Sequence, residues 1–409
     1  MTSTKSRYKV AIIAPTCFYY QAALFRELAA HPRLDLNVYF CSDEGLSARD
    51  VQEMYKVDSQ WGGDDELLQG YQSKFLRNYS PRPSYLKWPF GLINIGVIKE
   101  IVLGRPDVVI LMSWMNPTWW MALLACVLLG IPFLYMTDAN VQIERYRSKR
   151  KRQIKQIILG KTLFKLCSGF LCAGRANRYL YRLYGVPERK LFRFAYSWGY
   201  DSLRERSTAL MPLRSRIRAE LGIPEASLVV LFCGRLSREK NLKHLIEAYH
   251  QLDVEHKSLI FVGDGNLKHS LQDYVDELGV GSVYFFGFQN RNEIPKYYAI
   301  SDILVLPSVR ETWGIVVNEA MCFGLPVIVS DQVGAGMDLV SHGRNGYRVP
   351  THGNGLFLSI QKIADLSHEE RLVMEEASVA IMNHWSNRNL GESLLGYIEI
   401  IKAKRGSVG

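Results

Sequence analysis

The sequence predicts an α/β protein of two Rossmann-like, doubly wound domains facing across a cleft. Three observations carry that prediction. Apolar runs of strand length alternate with helical stretches from Tyr8 onward, the pattern of parallel sheets with crossover helices. The alternation occurs twice, with a polar stretch near residues 199–213 between the two series. A chain of 409 residues also exceeds what one hydrophobic core ordinarily serves.

Composition narrows the class. Hydrophobic residues make up 48% and charged residues 22%, as in a folded protein with a real core. The seven cysteines are far apart, form no CxxC pair and are odd in number. That predicts reduced, buried thiols in a cytoplasmic protein, not a disulfide framework or a zinc site. The start, MTSTKSRYKVAIIAP, has an apolar run of strand length and lacks the long apolar region of a signal peptide. The stretch Val108 to Phe133 is apolar enough to resemble a membrane span, which needs about 20 uninterrupted apolar residues. Asn116-Pro117 and Gly130-Ile131-Pro132 break it, so strand, helix, strand is the better reading.

In the first domain (1–198) the opening strand is YKVAIIAP, then the loop TCFYYQ, the helix AALFRELAAH and the strand LDLNVYFCS. The loop lacks the Gly-x-Gly-x-x-Gly of a dinucleotide site. Tyr19 stands in it, at the carboxyl end of a strand, where such sheets bind ligands. It is either an acceptor contact or part of a loop packed on its own helix. Residues 43–83 read as a polar insertion with one short hairpin at most. SYLKWPFGLINIGVIKEIVL ends in a helix, and Pro106–Asp138 forms strand, helix, strand.

Charge is concentrated next. From Arg145 to Tyr196 there are fifteen Lys and Arg and one acid, about +14 in a chain of net +10. Within it, Arg145–Lys165 reads as a basic amphipathic helix. Arg150, Lys151, Lys155, Lys161 and Lys165 fall on one side. Ile157, Leu159, Leu163, Phe164 and Leu166 fall on the other, with Ile154 and Ile158 among the bases. Two readings stand: a solvated surface helix, or a face that docks on an anionic membrane, each base adding on the order of 1 kcal/mol. Nothing resembles a nucleic-acid-binding motif. GFLCAG and FRFAYSW close the domain.

After the expected linker (199–213), the second domain (214–385) runs helix RSRIRAELGI, strand SLVVLFCGRL, helix NLKHLIEAYHQL, strand SLIFVGDG, helix LKHSLQDYVDELG, strand VYFFGF, helix NEIPKYYAIS and strand DILVLPS. A final helical segment (386–409) is expected to pack back on the first domain.

The chemistry-bearing stretch is Pro307–Asp331, PSVRETWGIVVNEAMCFGLPVIVSD. It reads as strand end, polar loop with Glu311, helix from about Gly314 carrying Glu319, then strand. First-turn amides suit an anion, and two carboxylates suit sugar hydroxyls. Upstream, Arg235 and Lys240 follow a strand end, five residues apart. A guanidinium fork and a compact ammonium would stabilise a departing diphosphate electrostatically without a metal. No Asp-x-Asp pair stands at a metal site. Gly263 and Gly265 end another strand. A hydrolase dyad is a rival reading of the two Glu, but it leaves the Arg/Lys loop unexplained; two solvated carboxylates are another.

These residues carry a family resemblance. GRLSREKN (Gly234–Asn241), VGDG (Val262–Gly265), SDILVLPS and ETWGIVVNEAMCFGLPVIVSD, in that order, resemble family 4 glycosyltransferases of the GT-B fold. The resemblance covers about residues 220–350; the first domain matches in architecture. It implies retaining transfer of a sugar from a nucleotide-diphosphate donor to an acceptor hydroxyl, metal-independent and with no cofactor beyond the nucleotide sugar. Arg235, Lys240 and Glu311 would be catalytic, with Glu311 on the donor sugar and Glu319 on the ribose. Gly234, Gly263 and Gly265 would line the nucleotide. The amides of Trp313, Gly314 and Ile315 would face phosphate or sugar oxygens; Trp313 stands where the family often has Phe.

One departure concerns the first domain. Many members carry His near the end of the strand corresponding to PFLYMTD, where this chain has Thr137 and Asp138. Asp138 is the candidate sugar or acceptor ligand, or a capping residue. In the family the leaving phosphate itself takes the acceptor proton. With the basic helix, the resemblance implies a cytoplasmic protein, peripheral on the cytoplasmic face of a membrane, with a lipid-linked or membrane-proximal acceptor in glycan, exopolysaccharide or lipopolysaccharide assembly. Alternatives are another GT-B enzyme, such as a nucleotide-sugar epimerase, and a catalytically silent membrane-associated scaffold.

Overall fold

The computed structural model describes residues 7–44, 46, 65–145, 148–195, 199–386 and 389–406. The chain divides into two compact units. The first holds the described residues of 1–198 and of 388–409; the second holds those of 199–387.

The first unit has strands β1 (Tyr8–Ala14), β2 (Leu34–Phe40), β3 (Gln72–Phe75), β4 (Val108–Leu111), β5 (Phe133–Met136), β6 (Gly169–Cys172) and β7 (Leu191–Arg193). They pair in parallel in the order β3-β2-β1-β4-β5-β6-β7. The second has β8 (Leu228–Cys233), β9 (Lys257–Val262), β10 (Val283–Gly287), β11 (Ile303–Leu306), β12 (Val327–Ser330) and β13 (Gly346–Val349), also parallel, in the order β10-β9-β8-β11-β12-β13. These are the two doubly wound sheets that the sequence predicts. β4, β5, β6, β8, β11 and β12 are buried at every position. A parallel sheet covered by helices on both faces accepts only such continuous apolar runs. In each sheet the direction of winding reverses beside the first strand, between β1 and β4 and between β8 and β11. Ligand crevices in such sheets open at those points, beyond the strands' carboxyl ends.

Val108–Phe133 is β4, the helix Pro117–Leu128 and the start of β5. Among the described residues no helix is long and apolar enough to cross a membrane. All seven cysteines are buried and unpaired.

Three expectations need correction. The first is the hairpin expected within residues 43–83. The described part of that segment instead contains β3, an exposed strand (QSKF) parallel to β2 at the sheet edge; residues 47–64 lie outside the described set. The second is the expected linker, 199–213. It contains a helix, Tyr200–Leu210, that packs on the helices Ile294–Ile300 and Ile315–Cys322. Its polar composition hid a narrow inward stripe: Tyr200 is buried and Leu203, Ser207 and Leu210 are half-buried, at helical spacing.

The third is the phase of the basic helix. Lys149–Ile158 is α-helical, Leu159–Leu163 is a π-turn, and Phe164–Leu166 resumes the α-helix. A π-turn holds an extra residue, which rotates the downstream side chains by about 100° at 3.6 residues per turn. One apolar face therefore does not run the whole length. Leu159, Leu163 and Phe164 are buried, while Ile154, Ile157, Ile158 and Leu166 are exposed. Lys155 turns inward. Its Nζ is 2.7 Å from Glu144 Oε2, the side chains being 12% and 2% exposed, and it lies over the ring of Tyr184.

The last helix, Leu390–Gly406, belongs to the first unit. Leu390, Leu394, Leu395, Ile398 and Ile401 are buried. Tyr397 stacks on Phe192 at 4.4 Å. His31, Arg33 and Asp107 pair with Glu392, Glu399 and Lys402 respectively.

Candidate functional site

Three loops at the carboxyl ends of β8, β9 and β11 are knitted together by backbone hydrogen bonds. Leu236 N–H donates to Asp264 O at 2.9 Å, Gly234 N–H to Val262 O at 2.9 Å, and Val309 N–H to Glu239 O at 2.9 Å. They hold Gly234–Asn241, Gly263–Leu267 and Pro307–Gly314, so most of the second-domain candidates converge at the reversal between β8 and β11. Asn241 is left-handed (φ 58°) and its side chain donates to Thr351 O at 3.0 Å, closing the Arg/Lys loop on the segment just past β13.

Glycine is required where the loops touch. Gly263 has φ +134°, and a Cβ there would lie 2.0 Å from Gly234 O. The pair read as nucleotide-lining glycines therefore first lets two loops pack backbone to backbone. Gly314 has φ +91°, and its Cβ would meet Leu306 at 2.8 Å. It precedes the helix Ile315–Cys322, whose first-turn amides have no helical acceptor.

Lys240 and Glu311 form an ion pair with side chains 16% and 15% exposed. Arg235 is exposed on the same loop. Glu311 also bridges backbone to backbone with Val333, which fixes the loop that carries it. Trp313 points away from the site: it is 5% exposed, donates from Nε1 to Asn318 Oδ1 at 2.8 Å and stacks on Trp385 at 5.6 Å. Its Phe-like role is thus to anchor the loop from inside.

Glu319 sits one helical turn further, half-buried. It accepts a 2.6 Å hydrogen bond from Tyr298 Oη. Burial raises its pKa, against the Tyr298 bond and the Arg291 charge, which lower it. Cys233, the last residue of β8, borders the same hydroxyl. Glu239 is held below the ordinary carboxylate range: burial opposes this, but bonds to its own backbone and to Ser237, with the charges of Lys240 and Arg235, outweigh it.

Asp138 and Tyr19 belong to the first unit. Asp138 is exposed, two residues past the end of β5. Tyr19 opens the first helix, and its side chain lies outside the described set. Sequence reasoning missed Tyr298, Trp385 and Asn241. Neighbouring aromatics in NEIPKYYAIS gave no signal separating Tyr298 from Tyr297; only Asn241, ending GRLSREKN, stood inside a motif.

A cavity of about 570 Å³ opens elsewhere in this unit, bordered by Arg214, Arg218 and Asp302. These three charges close on each other. Both Arg residues bond Asp302 and the carbonyls around Ile300, and Asp302 in turn accepts from Val229 N–H at 2.7 Å. That arrangement ties the helix Arg214–Glu220 to the sheet. Among the described residues no three His, Cys, Asp or Glu side chains are grouped to hold a metal ion.

Residues 214–377 match the family described as Glycosyl transferases group 1. An uncharacterized glycosyltransferase of Methanocaldococcus jannaschii is 30% identical over 192 residues, 46% of this chain and 49% of that protein. The chain thus spans about half the length of the curated relatives it matches. Among solved structures, Anabaena HepE in complex with UDP has a TM-score of 0.71 at 19% identity, covering 98% of this chain and 100% of that one. The lipopolysaccharide outer core galactosyltransferase WaaB has a TM-score of 0.63 at 16% identity, covering 95% and 99%. The fold is that of GT-B glycosyltransferases.

Proposed function

We propose that this protein is a retaining glycosyltransferase that moves a sugar from a nucleotide-diphosphate donor to an acceptor hydroxyl without a metal ion. The observation that carries the reading is the Lys240–Glu311 pair, set beside Arg235 and the amino end of the helix Ile315–Cys322 at the reversal between β8 and β11. A diphosphate would take Arg235, Lys240 and the amides of Gly314 and Ile315. Its leaving charge would be spread over fixed donors, which need no reorganisation during reaction. Glu311 would hold hydroxyls of the donor sugar, and Glu319 those of the ribose. In the transfer the bond between the anomeric carbon and the phosphate oxygen breaks. The acceptor oxygen bonds that carbon on the same face, and its proton passes to the departing phosphate. UDP bound to HepE and the lipopolysaccharide role of WaaB support a nucleotide-sugar donor and a glycan acceptor. Asp138 and Tyr19 are the proposed acceptor contacts.

The same reading makes the acceptor lipid-linked or membrane-proximal and the protein peripheral on an anionic cytoplasmic leaflet. The support is a surface. The crossovers β3→β4, β4→β5 and β5→β6 step across the sheet in one direction, and right-handed connections put their helices on one face. That layer exposes Ile98, Val102 and Leu103, then Leu124, Val127 and Leu128, then Ile154, Ile157 and Ile158, with Lys149, Arg150, Lys161 and Lys165 also exposed. Exposed aliphatic side chains with cations along one segment of the layer suit an anionic bilayer surface.

The test is incubation of purified protein with a panel of nucleotide sugars, following release of nucleoside diphosphate with and without lipid-linked or soluble acceptors. Turnover that persists in excess chelator supports the reading. No release from any donor, or release that stops with chelator, overturns it.

A further inference from the structure

We propose that Tyr298 is a positioning residue for Glu319: its buried hydroxyl holds one carboxylate oxygen so that the other is presented to the ribose hydroxyls of the donor. This rests on the assignment of Glu319 to the ribose, and a set of variants separates the two.

Tyr298 lies on the helix Ile294–Ile300, Glu319 on the helix Ile315–Cys322, and Cys233 at the end of β8. Tyr298 is 1% exposed. Its ring packs on Phe323 at 5.6 Å, and its hydroxyl donates to Glu319 Oε2 at 2.6 Å. A short O–H···O⁻ bond of this kind is directional and strong. Among the described residues no second donor bonds the other oxygen, and Glu319 is half-buried rather than sealed. One oxygen is therefore engaged and one is open. A glutamate without such a tether rotates about its terminal torsion, which has broad preferences, and would have to be ordered at the moment of binding. The tether supplies that order beforehand.

A core role alone would not require the hydroxyl. The ring already fills its place against Phe323, and burying a phenol without a partner is unfavourable. Phe would pack equally well and needs no acceptor. The hydroxyl's partner is a residue that the fold holds at the edge of the proposed donor site. Tyr297 beside it is just as buried, at 2%, yet it does not bond the carboxylate.

The experiment compares Tyr298→Phe, Glu319→Ala and the double variant with the wild type. The probe is whichever of UDP, GDP, ADP and CDP binds the wild type most tightly by calorimetry, alongside its 2′,3′-dideoxy counterpart. The wild type is expected to prefer the ribose form at least 10-fold. Tyr298→Phe should lose at least 5-fold in affinity for the ribose form, leave the dideoxy form unchanged and raise the donor KM more than it lowers kcat. The double variant should be no worse than Glu319→Ala. If Glu319→Ala keeps the full preference, or no diphosphate binds the wild type, the donor assignment falls and this inference with it. If Glu319→Ala loses the preference but Tyr298→Phe keeps it, the donor assignment stands and the inference is overturned. If Tyr298→Phe weakens both ligands equally, with a lower melting temperature, the hydroxyl serves the fold and the inference is likewise overturned.

Discussion

Lys240 and Glu311, 71 residues apart in sequence, are ion-paired with both side chains largely buried. The proposed function gives each a different part of a donor; in the structure they meet each other. An arriving diphosphate would find an ammonium already held in place and share it with the carboxylate.

The pair should therefore act as a unit in turnover. Lys240→Ala or Glu311→Ala is expected to lower kcat/KM at least 10-fold, as loss of a charge-assisted contact of ~1.5–3 kcal/mol implies. The double variant should lose less than the product of the two, because the partners couple. Steady-state kinetics on all four proteins checks this. Wild-type-like turnover in both single variants would remove the site.

Gly263→Ala should damage stability and binding together. The new Cβ would meet Gly234 O, and its φ is one that other residues rarely adopt. Strain and overpacking of about 2–4 kcal/mol should lower the melting temperature by roughly 5–15 °C for a domain of this size. Nucleotide affinity should fall too, since the Arg235 loop moves with it. A melting curve identical to wild type would show that the two loops are not packed as described.

Glu319 sets a stability cost against binding. Its native pKa is raised by burial, so the folded state takes up a proton at higher pH than the unfolded chain. Such a group favours folding in acid, and that contribution is lost as pH rises through the native value. Glu319→Gln, which can still accept from Tyr298, should raise the melting temperature of the ligand-free protein at pH 8 and progressively less toward pH 4. The charged and titratable neighbours, Tyr298, Cys233, Cys322 and Arg291, are unchanged in that variant. Lower stability at pH 8 would contradict the burial.

The proposed membrane face separates by residue. Replacing Ile154, Ile157 and Ile158 with Ser should weaken flotation with anionic liposomes at all salt concentrations. Replacing Lys149 and Arg150 with Gln should weaken it most at low salt, where charge is least screened. Lys155→Ala should instead lower the melting temperature, by removing the ammonium from a carboxylate that is 2% exposed; breaking such a pair costs on the order of 3 kcal/mol. Unchanged flotation in both surface variants would remove the membrane reading.

The sheets were legible because their central strands announce themselves: Leu228–Cys233 and Ile303–Leu306 are unbroken apolar runs. The loops after them were legible as motifs. Their partners were not. That Lys240 meets Glu311 follows from β8 and β11 being neighbours, a tertiary fact that no local spacing encodes. Tyr298 differs from Tyr297 only in helical phase relative to a glutamate 21 residues on. The basic helix misled because a plot at constant angle cannot register a π-turn, and the inward turn of Lys155 needed Glu144 from the short helix Val141–Arg145. The stretch 199–213 misled because Arg and Ser can flank a narrow buried stripe without disturbing it.

The position of the last helix bears on how the chain is made. Leu390–Gly406 completes the first unit through five buried aliphatic side chains, a hydrogen bond to His31 and ion pairs to Arg33 and Asp107. A ribosome finishes β1–β7 well before it reaches Leu390. At about 5–20 residues per second, the intervening segment takes roughly 10–40 s. Throughout that interval the sheet begun first lacks its last helix, and by its end the second unit, whose described residues form one continuous run, has been made in full. The order of synthesis and the order of completion are therefore reversed.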